Sequence, residues 1–442
     1  FALAFLPLAG IAVYWLVGPR RLTRKRRRYK LACARVREAV AARRGAEDAE
    51  ASCPVADERL SQFMQLAERS GEAPPLRSRE LEIYADGDAC YAGIERAIAE
   101  ARHHVHLEYY IWNPGRIGTR WRDLLCQKAR SGVEVRLLVD AIGSDRLGRR
   151  FLKPLRDSGA QLARFNPITL ARLRPNLINF RTHRKIVVCD GRTGFTGGIN
   201  VDDCQSAASV GPAAWRDTHL RVEGLPTVWL QTVFLEDWHF ATGSAPSGEA
   251  YFPKDGTAPA GPWVQIIASG PDHDWHAIHK FYFAAIAGAR ERVLVTTPYF
   301  VPDESIHAAM VTAALRGVDV RLLVPKQGDS RLVAAAARSY YADLVRAGVS
   351  VYEYGPAMLH AKTLVVDRDI AVVGSANLDN RSFRLNFEVM AAVYDAATAE
   401  HLAELFRKDL HKARKYSLRK VRRSPLWRRM VESTARVFSP LL

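Results

Sequence analysis

The sequence predicts an α/β protein made of two similar halves, mixed sheets flanked by helices, with one site between them and a transmembrane helix in front. Three observations carry this. The first is a repeated polar constellation: His183, Lys185, Asp190, Gly197 and Asn200 recur as His360, Lys362, Asp367, Gly374 and Asn377, each 177 residues later. The second is that the surrounding text repeats too: "AIAEARHHVHLEYYIW" (97–112) against "AIAGARERVLVTTPYF" (285–300), and "ARSGVEVRLLVD" (129–140) against "ALRGVDVRLLVP" (314–325). The third is the Gly-, Pro-, Ala- and Ser-rich stretch "TGSAPSGEAYFPKDGTAPAGP" (242–262), which separates the two copies. Each half reads as helix, strand, helix, strand and motif hairpin, with Gly132 and Gly317 as helix-to-strand punctuation. Alternation of this kind argues for α/β layers.

Taken in order, residues 1–18 carry no charge, and eight Lys/Arg follow between Arg20 and Lys30. An apolar run of that length just reaches across a bilayer. The charges come after the run rather than before it, the reverse of a signal peptide. A transmembrane helix is therefore expected at 1–19, with the rest of the chain on the cytoplasmic side. Residues 20–60 read as a basic juxtamembrane segment and linker, ending in "RGAEDAEASCPVADE". The first half is expected at 61–243, a linker at 244–262, the second half at 263–410, and a basic amphipathic segment at 411–442. In that last segment Leu426, Met430, Val437 and Leu441 share one helical face, flanked by Trp427, Arg428, Arg429 and Arg436. This is the pattern of a helix lying on an anionic membrane, and its alternative is a helix packed on the domain.

With 64 Lys+Arg against 47 Asp+Glu, the net charge of +17 calls for an anionic partner. The six cysteines form no CxxC pair, which excludes a zinc ribbon and a disulfide scaffold and fits a reducing compartment.

Side chains alternate along a strand, so His183 and Lys185 share a face while Asp190, seven residues on, points to the other. The same parity holds for His360, Lys362 and Asp367, so the aspartates finish the strand and anchor its turn. Two-residue loops at Gly191-Arg192 and Arg368-Asp369 would set Asn200 opposite His183 and Asn377 opposite His360, with the small residues Gly198 and Ser375 opposite the lysines. Displacement at phosphorus through a covalent intermediate needs one imidazole to attack and a second to protonate the leaving oxygen. Two lysines and two asparagines would bind the non-bridging oxygens. Each half then supplies half a site. Orienting carboxylates are expected from Asp217 in "AWRDTHL" and Glu388 in "RLNFEV", on strands neighbouring the motifs.

The paired HxK(x)4D(x)6G[GS]xN pattern resembles the phospholipase D superfamily. "HLEYYIW", "DAIGSD", "WRDTHLRVEG", "FLEDWHFATG", "TPYFVPDESI", "DSRLVAAAARSYY" and "GSANLDNRSFRLNFEV" are similar to its bacterial cardiolipin synthase branch, along nearly the whole chain. The resemblance implies two phospholipase D-like halves and a catalytic set of His183, Lys185, Asp190, His360, Lys362 and Asp367. Asn200 and Asn377 would bind the substrate phosphate, and Asp217 and Glu388 would orient the histidines. It also implies metal-independent transfer of a phosphatidyl group between two phosphatidylglycerol molecules, giving cardiolipin and glycerol through a phosphohistidine. No cofactor and no metal are called for. The partners would be anionic phospholipid, phosphatidylglycerol and cardiolipin, in the bacterial inner membrane; nucleic acid is not expected, and a homo-oligomer is compatible. Members usually carry two spans, where one is visible here. The halves are alike, and His183 is the first choice for attack.

Other readings compete with this one. Water as acceptor would make the protein a phospholipase or a nuclease, and the apolar segment argues against a nuclease. A non-catalytic membrane or nucleic-acid tether conflicts with two motifs intact at every polar position. His103, His104 and His106 resemble a metal cluster, but only His104 and His106 share a strand face, and core packing is the simpler account. Tyr109, Tyr110, Tyr299, Tyr340 and Tyr341 read as packing aromatics, with lining a headgroup pocket as their functional alternative.

Overall fold

The computed structural model describes residues 57–437 except 71–72, 168–178, 245, 247, 254–258, 272–275, 356 and 418–425, together with Cys33, Ala34 and Val36. The expected transmembrane helix at 1–19 and most of the juxtamembrane segment lie outside the described residues. Among those described, no helix is long and apolar enough to cross a membrane.

One continuous sheet runs through both halves. The first contributes β1 (Leu76–Tyr84), β2 (His104–Tyr109), β3 (Glu134–Asp140), β4 (Gln161–Phe165), β5 (Lys185–Cys189), β6 (Thr193–Gly197) and β7 (His219–Gly224). The second contributes β8 (Trp263–Ser269), β9 (Arg292–Thr296), β10 (Asp319–Pro325), β11 (Ser350–Tyr354), β12 (Thr363–Val366), β13 (Ile370–Gly374), β14 (Glu388–Tyr394) and β15 (Ala413–Lys415). From the centre outward, β1-β7-β6-β5-β2-β3-β4 on one side mirrors β8-β14-β13-β12-β9-β10-β11 on the other, with β15 added at the edge. The textual repeat is thus a repeat of topology. The halves join where β1 and β8 pair antiparallel, Leu76 with Val264 and Arg77 with Trp263.

Helices cover the sheet on both faces. Helix α1 (Glu58–Arg69) packs on the second half, and over the first lie α2 (Gly87–Glu100), α3 (Arg116–Arg130) and α4 (Arg149–Asp157); then come α5 (Leu225–Thr242), α6 (Ala277–Ala287), α7 (Glu304–Leu315), α8 (Arg331–Ala347), α9 (Ala396–Leu410) and α10 (Leu426–Val437). Residues of α2, α3 and α4 pack with Leu107, Leu137 and Phe195 into one core. Those of α1, α6, α7 and α8 pack with Val295, Leu322 and Leu364 into a second. A third core joins the halves: Leu230, Phe234 and Trp238 of α5 and Leu402 and Phe406 of α9 meet Leu220, Ile266, Val373 and Val389 of the sheet. Helix α5 is buried along most of its length, polar Gln231, Glu236 and Asp237 included, so its sequence shows no amphipathic period.

The motif hairpins are one residue out of the expected register. Ile186 faces Thr196 and Cys189 faces Thr193, and Thr363 faces Val373 and Val366 faces Ile370, so each loop has three residues rather than two. The extra loop residue is the motif aspartate, which adopts a left-handed conformation, φ 54° at Asp190 and 51° at Asp367. A one-residue slip moves every partner. Beyond Gly197 the chain leaves β5 for the neighbouring segment, Gly198 N–H donating to the Thr218 carbonyl at 2.9 Å, so Asn200 is not opposite His183.

Helix α10 docks one face on α8, with Ala435 buried and the Arg436 guanidinium 4.4 Å from the centre of the Tyr340 ring. Met430 and Val431 on it remain exposed, at 69% and 52%. His104 and His106 belong to the packed interior: the His106 ring nitrogens lie 2.7 Å from the Gln231 amide and 3.0 Å from Arg136.

Candidate active site

Each motif histidine arrives on a segment that pairs with the opposite half. His183 N–H donates to the Phe387 carbonyl at 2.8 Å, and Phe387 N–H donates to the Arg181 carbonyl at 2.9 Å. Reciprocally, His360 N–H donates to the Arg216 carbonyl at 2.7 Å, and Arg216 N–H donates to the Met358 carbonyl at 2.9 Å. Two short parallel bridges, Thr182 with Phe387 and Arg216 with Leu359, therefore cross the joint. Their consequence is that the acid next to each bridge meets the other half's histidine. Glu388 Oε2 is 3.0 Å from His183 Nδ1, and Asp217 Oδ2 is 2.6 Å from His360 Nδ1. The acids named from the sequence lie within hydrogen-bond distance of the motif histidines, in pairs that are crossed rather than confined to one half.

His183 Nδ1 also lies 3.1 Å from the Ser375 carbonyl. A nitrogen between a carbonyl and a carboxylate must carry the proton, which leaves Nε2 with its lone pair. Burial, with the charge of Lys185 and Lys362 against the pull of Glu388, holds the His183 imidazole below its ordinary value. Burial and Lys362 push His360 down to about 4 against the pull of Asp217. Both imidazoles are thereby held neutral at neutral pH. Burial pushes Lys185 down to about 7, Lys362 adding to the effect, and burial pushes Lys362 down to about 8 against the carboxylates Asp217 and Glu388. Each lysine thus acts on both histidines, as expected of a single cluster. Burial would raise the Asp217 and Glu388 carboxyls, but the histidines and lysines outweigh it and keep both ionised. Each ammonium donates to the carbonyl of its own motif histidine, Lys185 at 2.5 Å. The Tyr110 ring packs 4.9 Å from His183 and the Trp215 ring 5.2 Å from His360. Trp215 was legible only as a near neighbour of Asp217.

The motif aspartates lie at the far ends of their strands. Asp190 accepts the backbone N–H groups of Arg102, His103 and His104 at 2.8–2.9 Å. Asp367 accepts those of Arg290, Glu291 and Arg292 at 2.7–3.1 Å and pairs with Arg59 at 2.6 Å. Neither forms a hydrogen bond with His183 or His360 among the described residues. Asn200 Oδ1 accepts from Ile111 N–H at 3.2 Å, whereas Asn377 Oδ1 is buried without a hydrogen-bond partner. The small residues after the motif glycines make room for the acids, not the lysines. Ser375 Oγ donates to Glu388, while a Cβ at Gly198 would lie 2.0 Å from Asp217 Oδ1.

Comparison with known proteins agrees with this geometry. Residues 94–208 and 282–410 match the family described as "Cardiolipin synthase, PLD-like domain". The cardiolipin synthase of Alkalihalophilus pseudofirmus is 38% identical over 448 residues, covering 100% of this chain and 87% of that one. That of Geobacillus kaustophilus is 41% identical over 396 residues, covering 88% and 79%. The chain belongs to the cardiolipin synthase family. Among solved structures, a phosphatidylserine synthase of Haemophilus influenzae shares the fold with a TM-score of 0.64 at 13% identity, covering 86% of this chain and 100% of that one. Family membership accords with the two-half α/β architecture.

Proposed function

We propose that the protein is a phosphatidyltransferase that joins two phosphatidylglycerol molecules into cardiolipin and releases glycerol. The observation that carries this reading is the pair of buried histidines held by crossed carboxylates between two lysines, in a chain of this family. One imidazole, His183 by preference, attacks the phosphorus through Nε2 and displaces glycerol, forming a P–N bond as the P–O bond breaks. The other protonates the departing oxygen and then takes the proton from the hydroxyl of the second phosphatidylglycerol, which attacks the phosphohistidine. Lys185 and Lys362, with Asn200 and Asn377, hold the non-bridging oxygens; Glu388 and Asp217 fix the imidazoles in the required tautomer.

The electrostatics support this assignment of roles. Two ammonium groups and two carboxylates cancel while both histidines are neutral. A phosphodiester brings one negative charge, so the proton needed by the acid enters with the substrate. The motif aspartates act at a distance, by fixing the strand that presents each His and Lys.

Water is the competing acceptor, and only a second bound headgroup with its hydroxyl aligned can outrun it. The depth of the histidines, 8% and 5% exposed, favours this exclusion. Residues 1–19 would anchor the enzyme in the bacterial inner membrane with the site on the cytoplasmic side, and the +17 charge would gather anionic lipid there. The test is to supply phosphatidylglycerol alone. Cardiolipin and glycerol in equal amounts support the transferase. Phosphatidic acid as main product, insensitive to lipid density, would make the enzyme a phospholipase.

A further inference from the structure

Each histidine-orienting acid is itself held by an arginine on the far side of its backbone. Arg184 stands between His183 and Lys185 and points to the opposite face of that segment. Its guanidinium is fully buried, pairs with Asp237 of α5 at 2.5 Å and stacks 5.6 Å from the centre of the Phe387 ring. Its Nε–H donates to the backbone carbonyl of Glu388 at 3.1 Å, and an Nη donates to that of Ser269 at 3.4 Å. Ser269 and Glu388 are themselves paired across β8 and β14. A first-half side chain thus grips the start of the second-half strand that carries the acid of His183.

The other acid is held by a comparable device. Arg216, next to Asp217, donates to the Asp217 carbonyl and to Thr218 Oγ1, the latter at 2.9 Å. Its other nitrogens meet both carboxylate oxygens of Asp409, at 3.1 and 3.0 Å, on α9 of the second half. Both arrangements cross the joint and end on an aspartate of the helix that follows β7 in one half and β14 in the other. The second motif has Ala361 where the first has Arg184, so both arginines come from the first half.

We propose that Arg184 and Arg216 are positioning residues for the reaction, each fixing the backbone of one orienting acid so that its carboxylate meets the histidine of the opposite half. A planar fork that bonds an aspartate and a carbonyl in fixed directions suits this task, and a lysine's single point charge does not. The joint makes such a device necessary. The distance between attacking and protonating imidazoles depends on how the halves sit, and misplacement by about 1 Å can cost roughly 100-fold in rate. Buried ion pairs also occur as plain structure, so fold and chemistry must be separated by experiment.

This inference rests on the two-histidine reading of the site, and its test counts total headgroup release from phosphatidylglycerol in mixed micelles, whichever acceptor is used. A wrong acceptor then changes the product and leaves the coupling measurable. In the full-length chain, Arg184→Lys should lower kcat about 10- to 100-fold, with KM within about twofold. Combined with Glu388→Gln it should add less than about twofold to that variant's own loss, because its effect passes through Glu388. Arg216→Lys should behave in the same way against Asp217→Asn. Thermal melting reports folding; if Arg184→Lys does not fold, Arg216→Lys, whose side chain is 14% exposed, carries the test. Penalties that multiply in the double variants, or a folded lysine variant with unchanged kcat, would overturn the proposal.

Discussion

Replacing Gly198 with serine would make the first motif match the second, yet the structure predicts that it disables the enzyme. A Cβ at this position would stand 2.0 Å from Asp217 Oδ1, 2.8 Å from Cγ and 2.9 Å from Oδ2. Ordinary contact begins at about 3.4 Å, so the carboxylate must retreat by more than about 1 Å. It has nowhere to go without leaving its partners: Asp217 is fully buried, accepts Thr218 N–H at 2.8 Å and holds His360 Nδ1 at 2.6 Å. A 1 Å displacement at a reacting group corresponds to roughly 100-fold, or about 2.7 kcal/mol of barrier. Gly198→Ser should therefore lose about two orders of magnitude in kcat, measured as cardiolipin formed from phosphatidylglycerol vesicles, while still melting cooperatively. Adding Asp217→Glu copies the Ser375–Glu388 arrangement of the other half and should restore part of the loss. A folded Gly198→Ser enzyme with near-normal kcat would refute the steric reasoning, as would a double variant slower than the single one.

Removal of His183 or His360 should cost several orders of magnitude each, with the double variant barely worse than either, because both serve one reaction; single-turnover rates of folded His→Ala variants check this. The pH profile of kcat/KM should be a bell whose limits belong to the coupled groups. The attacking imidazole must be neutral and its value is lowered, so activity is present above it and the acid limb falls below about 6.5. The lysines must be charged, so activity is lost as pH rises through about 7 and 8, far below an ordinary lysine. Asp190→Ala should strip three backbone N–H groups of their acceptor and lower stability by about 1–3 kcal/mol, read from the denaturation midpoint, with kcat of the folded fraction falling far less than for a histidine variant. Chelators should leave turnover intact; loss in EDTA that one divalent ion restores would reveal metal chemistry instead.

Much of this was legible because the duplication is written in polar residues whose spacing survives without any knowledge of the fold. The strand order of the second half repeats the first because the alternation of helix and strand repeats. Asp217 and Glu388 could be named because a catalytic histidine needs an orienting carboxylate and one acid sits beyond each motif. Their crossed pairing could not, since sequence distance says nothing about bridges such as Thr182 with Phe387. The hairpin register failed for a local reason: Asp190 and Asp367 adopt positive φ, which their three N–H partners stabilise and an L-residue's propensity does not announce. Helix α5 gives no periodic signal because it is wrapped on most sides, and Asp237 within it gains its meaning only beside Arg184. Gly198 looked like a small residue beside a lysine, and only the position of Asp217 shows what fills its space.

The central claim is that two half-sites make one centre that carries the phosphatidyl group on a single histidine. Purified enzyme turning over phosphatidylglycerol labelled in its phosphatidyl part can be quenched, digested and mapped by mass. One acid-labile phosphatidyl adduct per chain is expected, on His183 or His360, that disappears when excess acceptor alcohol is added before the quench. Turnover without an adduct on either histidine, or both histidines loaded in the same chain, would contradict it.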